Sequence, residues 1–473
     1  MSNVSTDRYV ELHCHSNYSL LDGASHPEDL VARARELGMD ALAITDHDGL
    51  YGAIRFSQAA VEEGIKPIIG TELTLTGGDH LLLLAKNRQG YSNLCRLITA
   101  AHLSPQSSVL SPKSAFLDPA LLASHSAGLI CLSGCRQGEI VRSLMAGNRR
   151  QARKAAQRYL KIFGIDSFWI EIQDHLLPED DWLCDELEDL ADRLGIGCVA
   201  TNDVHYATQD SHRLQDILVC IKNRTSLDAS AGLLRPNSEY YLKSAGEMET
   251  ILWRYPGAVA NSRLIADQCD VDLNFRGYRF PGFTPPEGES AFSYLYRLCH
   301  RGARERYRPI TPAVSKQLAH ELDVIHRTGL AEYFLIVWDI MRYARENGIP
   351  GQGRGSAADS IVAYVLGITK VDPIRHNLLF ERFLSEEMSG MPDIDIDFST
   401  NHREQIIQYV YEKYGQEHTG MVCNVVTYRA RNALREVGKA LGLPPDLIGR
   451  FAKAVNRHSP SHLEEEMEAI GLL

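Results

Sequence analysis

The 473-residue chain lacks any run of 18 apolar residues; its longest candidate, Leu81-Leu82-Leu83-Leu84-Ala85, is only strand-sized. A membrane-spanning helix is therefore excluded. The first residues, Met1 to Asp7, contain neither a basic n-region nor an apolar h-region, so no secretory signal is expected. There is no C-x-x-C zinc pair, since Cys131 and Cys135 stand four apart. The ten cysteines are mostly single and set in apolar segments (Cys198, Cys220, Cys299), as in a reduced cytosolic protein, and a cytoplasmic location is expected. Internal repeats and low-complexity tracts are also missing. Positive charge is in deficit, with 49 Lys+Arg against 61 Asp+Glu and a net charge of −12. With 44% hydrophobic and 23% charged residues, disorder, collagen and coiled coil are excluded as the main state. The length calls for two or three domains.

The acidic total hides two basic stretches. Arg297, Arg301, Arg304, Arg306 and Arg308 surround the single acid Glu305. Between Met421 and Arg457, Arg429, Arg431, Arg435, Lys439, Arg450, Lys453 and Arg457 outnumber Glu436 and Asp446. A basic stripe on an acidic body suits a binder of phosphate backbone, although a charge run alone is first of all a solvated helix face.

Through about residue 210, short β-rich runs alternate with helical stretches. Residues 10–13, 41–45, 67–70, 80–85, 128–132, 168–172 and 198–201 read as strands. Residues 27–37 and 53–63 read as helices, the first with Ser25 as its N-cap. This rhythm predicts parallel strands in a βα barrel or an open sheet. After about Leu273 a Gly- and Pro-rich stretch reads as a linker, followed by helices at 294–307, 316–328 and 333–347.

Metal-type residues gather where the predicted strands stop. His13 and His15, two apart on an extended segment, project to one side. Asp22 follows in the next loop, Asp46 and His47 end the second strand, Glu72 the third, and Asp203 with His205 a late one. In a parallel domain these ends share one rim. Imidazole mixed with carboxylate suits Zn, Mn or Fe rather than Ca. His102 and Cys135 are further candidates.

The second constellation is Met391-Pro-Asp-Ile-Asp-Ile-Asp-Phe398. Strict alternation puts Asp393, Asp395 and Asp397 on one strand face and Ile394, Ile396 and Phe398 on the other. Asp is a poor strand former, so this carboxylate row calls for a compensating divalent cation; a solvated edge strand is the competing reading. Two Mg²⁺ held by such acids serve phosphoryl transfer. Upstream, Pro350-Gly-Gln-Gly-Arg-Gly-Ser356 precedes a helix-like run, and its glycines and helix N-terminus would cradle phosphates without being a P-loop. Arg354 and Arg382 are candidate fork donors to triphosphate oxygens, with a salt bridge as the plain alternative for Arg382.

Leu12-His-Cys-His-Ser16, Thr45-Asp-His-Asp-Gly49, Gly70-Thr-Glu72 and Asp203-Val-His205 resemble the motifs of the polymerase and histidinol phosphatase (PHP) domain. The resemblance implies a distorted seven-stranded βα barrel holding up to three metal ions, Zn²⁺ or Mn²⁺. It also implies ligand roles for His13, His15, Asp22, His47, Glu72, Cys135, Asp203 and His205, with His102 as candidate between Glu72 and Cys135. Gly353-Arg-Gly-Ser356, Phe380-Glu-Arg-Phe383 and Pro392-Asp-Ile-Asp-Ile-Asp-Phe398 resemble the palm of the bacterial family C polymerases, the DNA polymerase III alpha group. Ala24-Ser-His-Pro27, Leu50-Tyr-Gly-Ala-Ile-Arg-Phe56 and Arg279-Phe-Pro-Gly-Phe283 are similar to its error-prone, damage-inducible branch.

The fold class implied is α/β: a PHP-type distorted (βα)7 barrel over 1–273, a linker at 274–288, a mixed α+β nucleotidyltransferase-like palm over 289–424, and the start of a helical thumb over 425–473. The resemblance implies catalytic and Mg²⁺-binding roles for Asp393 and Asp395, with Asp397 a further ligand, and nucleotide binding by Arg354, Gly355, Ser356 and Arg382. Template–primer DNA and deoxynucleoside triphosphates are the implied substrates, with a sliding clamp and mutagenesis accessory proteins as partners. Family members are about twice as long or more, so the chain reads as an N-terminal portion, unable to extend primers efficiently unless the remainder is supplied. Two alternatives compete with error-prone DNA synthesis: a phosphoesterase or 3′–5′ exonuclease with an inert palm, and a non-enzymatic scaffold.

Overall fold

In a computed structural model, residues 9–104, 115–274, 282–385, 392–415 and 418–454 are described. Residues 275–281 of the expected 274–288 linker, Met391 ahead of the aspartate row and Arg457 of the second basic run lie outside them. The chain divides into two compact units, Met1–Phe275 with Thr427–Leu473, and Arg276–Val426. Among the described residues, no helix is long and apolar enough to cross a membrane.

The first unit runs α1 (Pro27–Glu36), β1 (Ala41–Ile44), α2 (Ala53–Glu62), β2 (Lys66–Thr74), β3 (His80–Ala85), α3 (Arg88–His102), β4 (Leu129–Leu132), α4 (Glu139–Met145) and α5 (Arg149–Phe163). It continues with β5 (Phe168–Ile172), α6 (Asp180–Leu194), β6 (Cys198–Ala200), α7 (His212–Asn223), α8 (Ala245–Ile251) and α9 (Pro256–Gln268). The second unit contains α10 (Ala291–Arg306), α11 (Pro312–Arg327), α12 (Ala331–Glu346), β7 (Gly351–Gly353), α13 (Ile361–Val365), β8 (Ile396–Phe398) and α14 (Arg403–Tyr414). Two last helices, α15 (Ala430–Ala440) and α16 (Pro445–Ala454), group with the first unit, where Val437 and Ala440 of α15 pack on Ile217 and Cys220 of α7.

Strands β1 to β6 form one sheet in sequence order, but not all are parallel. β3 runs antiparallel to both β2 and β4, while β1/β2, β4/β5 and β5/β6 are parallel. The all-parallel expectation fails here for a local reason. A tight turn through Gly77 and Gly78, both at positive φ, joins β2 to β3, and a turn that short reverses the chain where a parallel neighbour needs a long crossover.

The sheet is buried on both faces, which is why its strands read as continuous apolar runs. Leu81, Leu83 and Ala85 join a cluster with Phe56, Leu94 and Leu97 of α2 and α3. Leu82 and Leu84 face the opposite way, onto Ile68, Ile130, Leu132 and Val199. The expected first strand, 10–13, is not a regular strand; its segment carries one isolated bridge, Cys14 to Val204. It nevertheless links the two sheet edges. Ala43 and Thr45 donate backbone N–H bonds to Glu11 and Cys14, and Val204 donates to the His13 carbonyl while His15 donates to the Val204 carbonyl across the other side.

Helix α1 begins at Pro27, with His26 rather than Ser25 as N-cap. The His26 N–H goes to the Asp29 carboxylate at 3.1 Å, whereas the Ser25 hydroxyl accepts the N–H of Ala207 at 2.9 Å. In the second unit, α10 to α13 bury Leu295, Leu298, Leu322, Phe334, Leu335 and Val362 against Phe380 and Phe383. β7 and β8 make an antiparallel two-stranded ribbon, with Gln352 opposite Asp397 and Gly353 opposite Ile396.

Candidate metal centre and acidic ribbon

The rim of the curled sheet gathers five imidazoles and three acids. The carboxyl ends of β1, β2, β4 and β6 deliver His47, Glu72, Cys135, Asp203 and His205, and the linking segment delivers His13 and His15. Because β3 is antiparallel, its first residue, His80, arrives at the same rim. Three overlapping sets have ligand atoms close enough to hold a cation: His15, His47 and His205; His13, His15 and Asp203; and His47, Glu72 and His80.

Hydrogen bonds behind the rings decide which nitrogen faces inward. His13 donates from Nδ1 to Glu171 at 2.6 Å, and His15 donates from Nδ1 to the Ser19 hydroxyl at 3.0 Å, which itself donates to Asp46. The two Nε2 atoms face each other at 3.1 Å. Two bare lone pairs at that distance would repel, so the contact needs either a proton on one ring or a metal ion between them. His205 is held likewise, with Nδ1 on the Asp203 carbonyl at 2.8 Å. Glu72 supplies matching negative charge. Its Oε2 lies 2.9 Å from Nδ1 of both His47 and His80, and its Oε1 lies 3.3 Å from Nε2 of His13. Yet both oxygens are buried without a directed hydrogen bond. An orphaned buried carboxylate among inward-facing imidazoles fits a resident transition-metal ion.

Against the effect of burial, Glu171 and Glu72 raise His13 and Glu72 raises His47 above the ordinary imidazole range, so a metal ion there would take the place of those protons. Burial opposes ionisation of Glu72, but the neighbouring His80 and His13 hold its carboxyl well below the usual range. Burial, reinforced by the charge of His47, pushes His15 down to about 4, so its ring is neutral and able to ligate. Burial and the charges of Glu72 and Asp203 push the Cys135 thiol well up; its Sγ lies 3.6 Å from Nδ1 of His80.

Asp22 stands at one side, 3.4 Å from Nε2 of His205 and paired with Lys222 at 2.7 Å. Arg235 closes that corner, contacting His205, Asp203 and Asp22 while lying over the Tyr240 ring. The rim opens on a cavity of about 360 Å³ whose walls include Tyr18, Tyr51, His102, Lys222 and Arg235.

His102 lies on that wall but in none of the three sets. Its Nε2 bonds the Asp48 carbonyl at 2.8 Å, and the position between Glu72 and Cys135 is occupied by His80. His80 carries a usable signal, since it opens the strand expected at 80–85, and an antiparallel strand brings its start to the rim where parallel strands bring their ends. Asp46 is a strut rather than part of the sets, accepting bonds from Ser16 and Ser19. Glu171 and Glu11 were not legible as site residues. Glu171 orients His13, while Glu11 accepts the His13 N–H at 2.8 Å, and burial raises its carboxyl to about 7.

The aspartate row is a different environment. Only Asp397 lies within β8, but alternation extends through the whole segment. Asp393, Asp395 and Asp397 are exposed, and Ile394, Ile396 and Phe398 half-buried. The ribbon sets this row beside the glycine turn. Arg354 donates its backbone N–H to the Asp395 carbonyl at 2.8 Å, and its guanidinium pairs with the Asp397 carboxylate. Gly355 has φ +63°, and Ser356 is exposed. The turn Phe380–Arg382, with Arg382 exposed, packs against the turn Gly355–Asp359.

The expected helix-N-terminus cradle is altered. The first N–H groups of α13, Ile361 and Val362, are bound by the buried Glu321 carboxylate at 3.0 and 3.1 Å, and Gly353 donates to the Ile368 carbonyl. What remains toward a phosphate is the Arg354-Gly355-Ser356 turn itself. Among the described residues the three aspartates form no three-ligand set. Mg²⁺ still suits them, because it keeps much of its water and binds through one or two carboxylates plus substrate phosphates.

Comparison with known proteins places both regions. Residues 11–175 match the PHP domain, and residues 293–471 match the Bacterial DNA polymerase III alpha NTPase domain. The chain is 44% identical over 462 residues to the error-prone DNA polymerase of Symbiobacterium thermophilum, covering 95% of this chain and 42% of that protein. It is 42% identical over 452 residues to the DNA polymerase III subunit alpha of Treponema pallidum, covering 92% and 38%. The error-prone DNA polymerase of Mycobacterium bovis is 42% identical over 464 residues, covering 96% and 42%. The chain thus spans about two fifths of the length of these relatives.

Proposed function

We propose that this chain, which carries a PHP domain followed by a bacterial DNA polymerase III alpha domain, is the N-terminal portion of an error-prone DNA polymerase acting in damage-induced mutagenesis and repair. The observation that carries the reading is the ribbon register, which sets Asp395 and Asp397 beside Arg354, Gly355 and Ser356. In this reading Asp393 and Asp395 hold Mg²⁺, with Asp397 a further ligand. The ions supply activation of the attacking 3′ oxygen and neutralisation of the leaving pyrophosphate. Arg354 exchanges its Asp397 partner for triphosphate oxygens, and Ser356 and Arg382 flank the same anion. Template–primer DNA and deoxynucleoside triphosphates are the substrates, the location is cytoplasmic, and a sliding clamp and mutagenesis accessory proteins are the partners.

The test is primer extension by this chain, alone and joined to the remaining polypeptide of a relative. Extension by the joined form that is abolished by Asp393→Asn and Asp395→Asn supports the assignment. Equal extension by those variants refutes it, and robust synthesis by the isolated chain refutes its dependence on the remainder.

A second reading is favoured by the buried rim: metal-dependent phosphoester hydrolysis with Zn²⁺ or Mn²⁺ held by His13, His15, His47, Glu72, His80, Asp203 and His205, with Asp22 and Cys135 adjacent. There Glu171 and Ser19 keep Nε2 of His13 and His15 facing inward, and Lys222 and Arg235 bring positive charge to the cavity wall. Phosphate release that survives Asp393→Asn but not His13→Ala would single out this activity.

A further inference from the structure

Helix α10 carries the first arginine run, which neither site uses. Arg297, Arg301 and Arg304 are spaced i, i+4 and i+7 and so share one stripe. The buried residues Leu295, Leu298, Cys299, Gly302 and Ala303 take the opposite side, and the stripe is exposed. Solvated helix faces ordinarily interleave both signs. Here Arg297 meets Glu289 at 2.7 Å, but among the described residues Arg301 and Arg304 have no carboxylate partner. Glu305 lies one turn beyond Arg301 at the edge of the stripe, and among the described residues it pairs with neither arginine.

An aromatic row runs beside the charge. Tyr296 is 48% exposed, and its ring centroid lies 4.3 Å from that of His300, one turn on. Phe292, one turn before, sits 6.4 Å from Tyr296 and 4.2 Å from His326 of α11, which anchors the row at one end. Exposing a large ring to water on the same ridge as an unpaired guanidinium two turns on has a chemical counterpart. Phosphates spaced along a backbone match the arginines, and unstacked bases offer flat faces to the tyrosine. A duplex presents the phosphates but keeps its base faces stacked inside, and an acidic peptide offers no ring partner for Tyr296.

We propose that the exposed ridge of α10 from Tyr296 through His300 to Arg304, with Arg301 alongside its far end, is a docking track for single-stranded nucleic acid. For its biological role this rests on the polymerase reading, in which a template overhang is such a strand. The binding itself requires no catalysis.

The test is fluorescence anisotropy of a labelled oligothymidylate and of a blunt duplex of equal length. It uses the whole chain in EDTA across a salt series, with thermal melting by circular dichroism to show that each variant folds. Tyr296→Ala weakens the single strand about tenfold and leaves the duplex unchanged, while Tyr296→Phe binds as the parent does. The double change Arg301→Gln, Arg304→Gln lowers the slope of log affinity against log salt by about 1.4. Folded variants that bind oligothymidylate like the parent overturn the proposal. So does an equal loss on the duplex, or displacement of the oligonucleotide by polyglutamate that depends on Tyr296. Loss of the track with extension retained removes only the present proposal, and failed extension with the track intact removes only the polymerase reading.

Discussion

The two acidic regions of this protein solve the problem of concentrated negative charge in opposite ways. At the barrel rim, Glu72 and Asp203 are buried, and their charge is matched by imidazoles whose orientation is set from behind by Glu171 and Ser19. On the ribbon, Asp393, Asp395 and Asp397 stand in water, with one exposed arginine pair and a backbone bond to hold them. Burial makes the rim a preformed site, since each group there must find a partner or a cation. Exposure leaves the ribbon's acids without buried partners, and in the proposed reading a metal ion, a triphosphate and the primer end would complete it. The contrast, on that reading, is between a centre assembled by the fold and one assembled with its substrate.

Breaking the rim should have the largest effect. Glu72→Gln removes the central negative charge and is expected to reduce Zn²⁺ or Mn²⁺ affinity more than roughly 100-fold, about 3 kcal/mol, as read by metal analysis after dialysis. Unchanged metal content would show that the Glu72 carboxylate does not hold the ion. A smaller loss, about 2–3 kcal/mol of stability in the second unit, is expected from Glu321→Ala. That change leaves the N–H groups of Ile361 and Val362 and the Ser360 hydroxyl without their buried acceptor. Denaturant unfolding measures it, and it asks whether the ribbon's unit follows the rim's rule wherever its own carboxylates are buried. Glu171→Gln keeps the shape behind His13 but weakens the acceptor of its Nδ1–H. A drop in metal affinity of roughly 10-fold is expected, still visible by competition with a chelator. Asp397→Asn should be nearly silent in stability, within about 0.5 kcal/mol, because an exposed ion pair contributes little. A large thermal shift there would erase the distinction between the regions.

Much of the rim was legible because ligands at strand ends leave a local trace. His13 and His15 share a side by simple alternation, and Glu72, Asp203 and His205 stand where apolar runs stop. His102 was the expected ligand between Glu72 and Cys135, but β3 runs antiparallel and brings the start of a strand, His80, to that position. The Gly77-Gly78 turn held the contrary clue. The supporting shell was illegible for a different reason. Glu171 lies 158 residues from His13, and no pattern in either segment pairs them. On the ribbon the alternation of acids and apolar residues survives in the exposure pattern, although regular pairing begins only at Ile396. The helix N-terminus behind the glycine turn looked available to phosphate until the chain brought Glu321 against it.

The amino-acid order by itself determined which side chains share a face, where apolar runs begin and stop, and which residue types can ligate a cation or grip a phosphate. Those properties depend on the backbone period and on side-chain chemistry, which act over a few neighbours. Only the tertiary structure decided that β3 turns back to bring His80 to the rim, that the 10–15 segment links both sheet edges, and that Glu171 and Glu321 reach across the chain to hold their partners. Strand direction and long-range pairing are selected by burial of the whole core at once, and that selection leaves no mark on any short stretch.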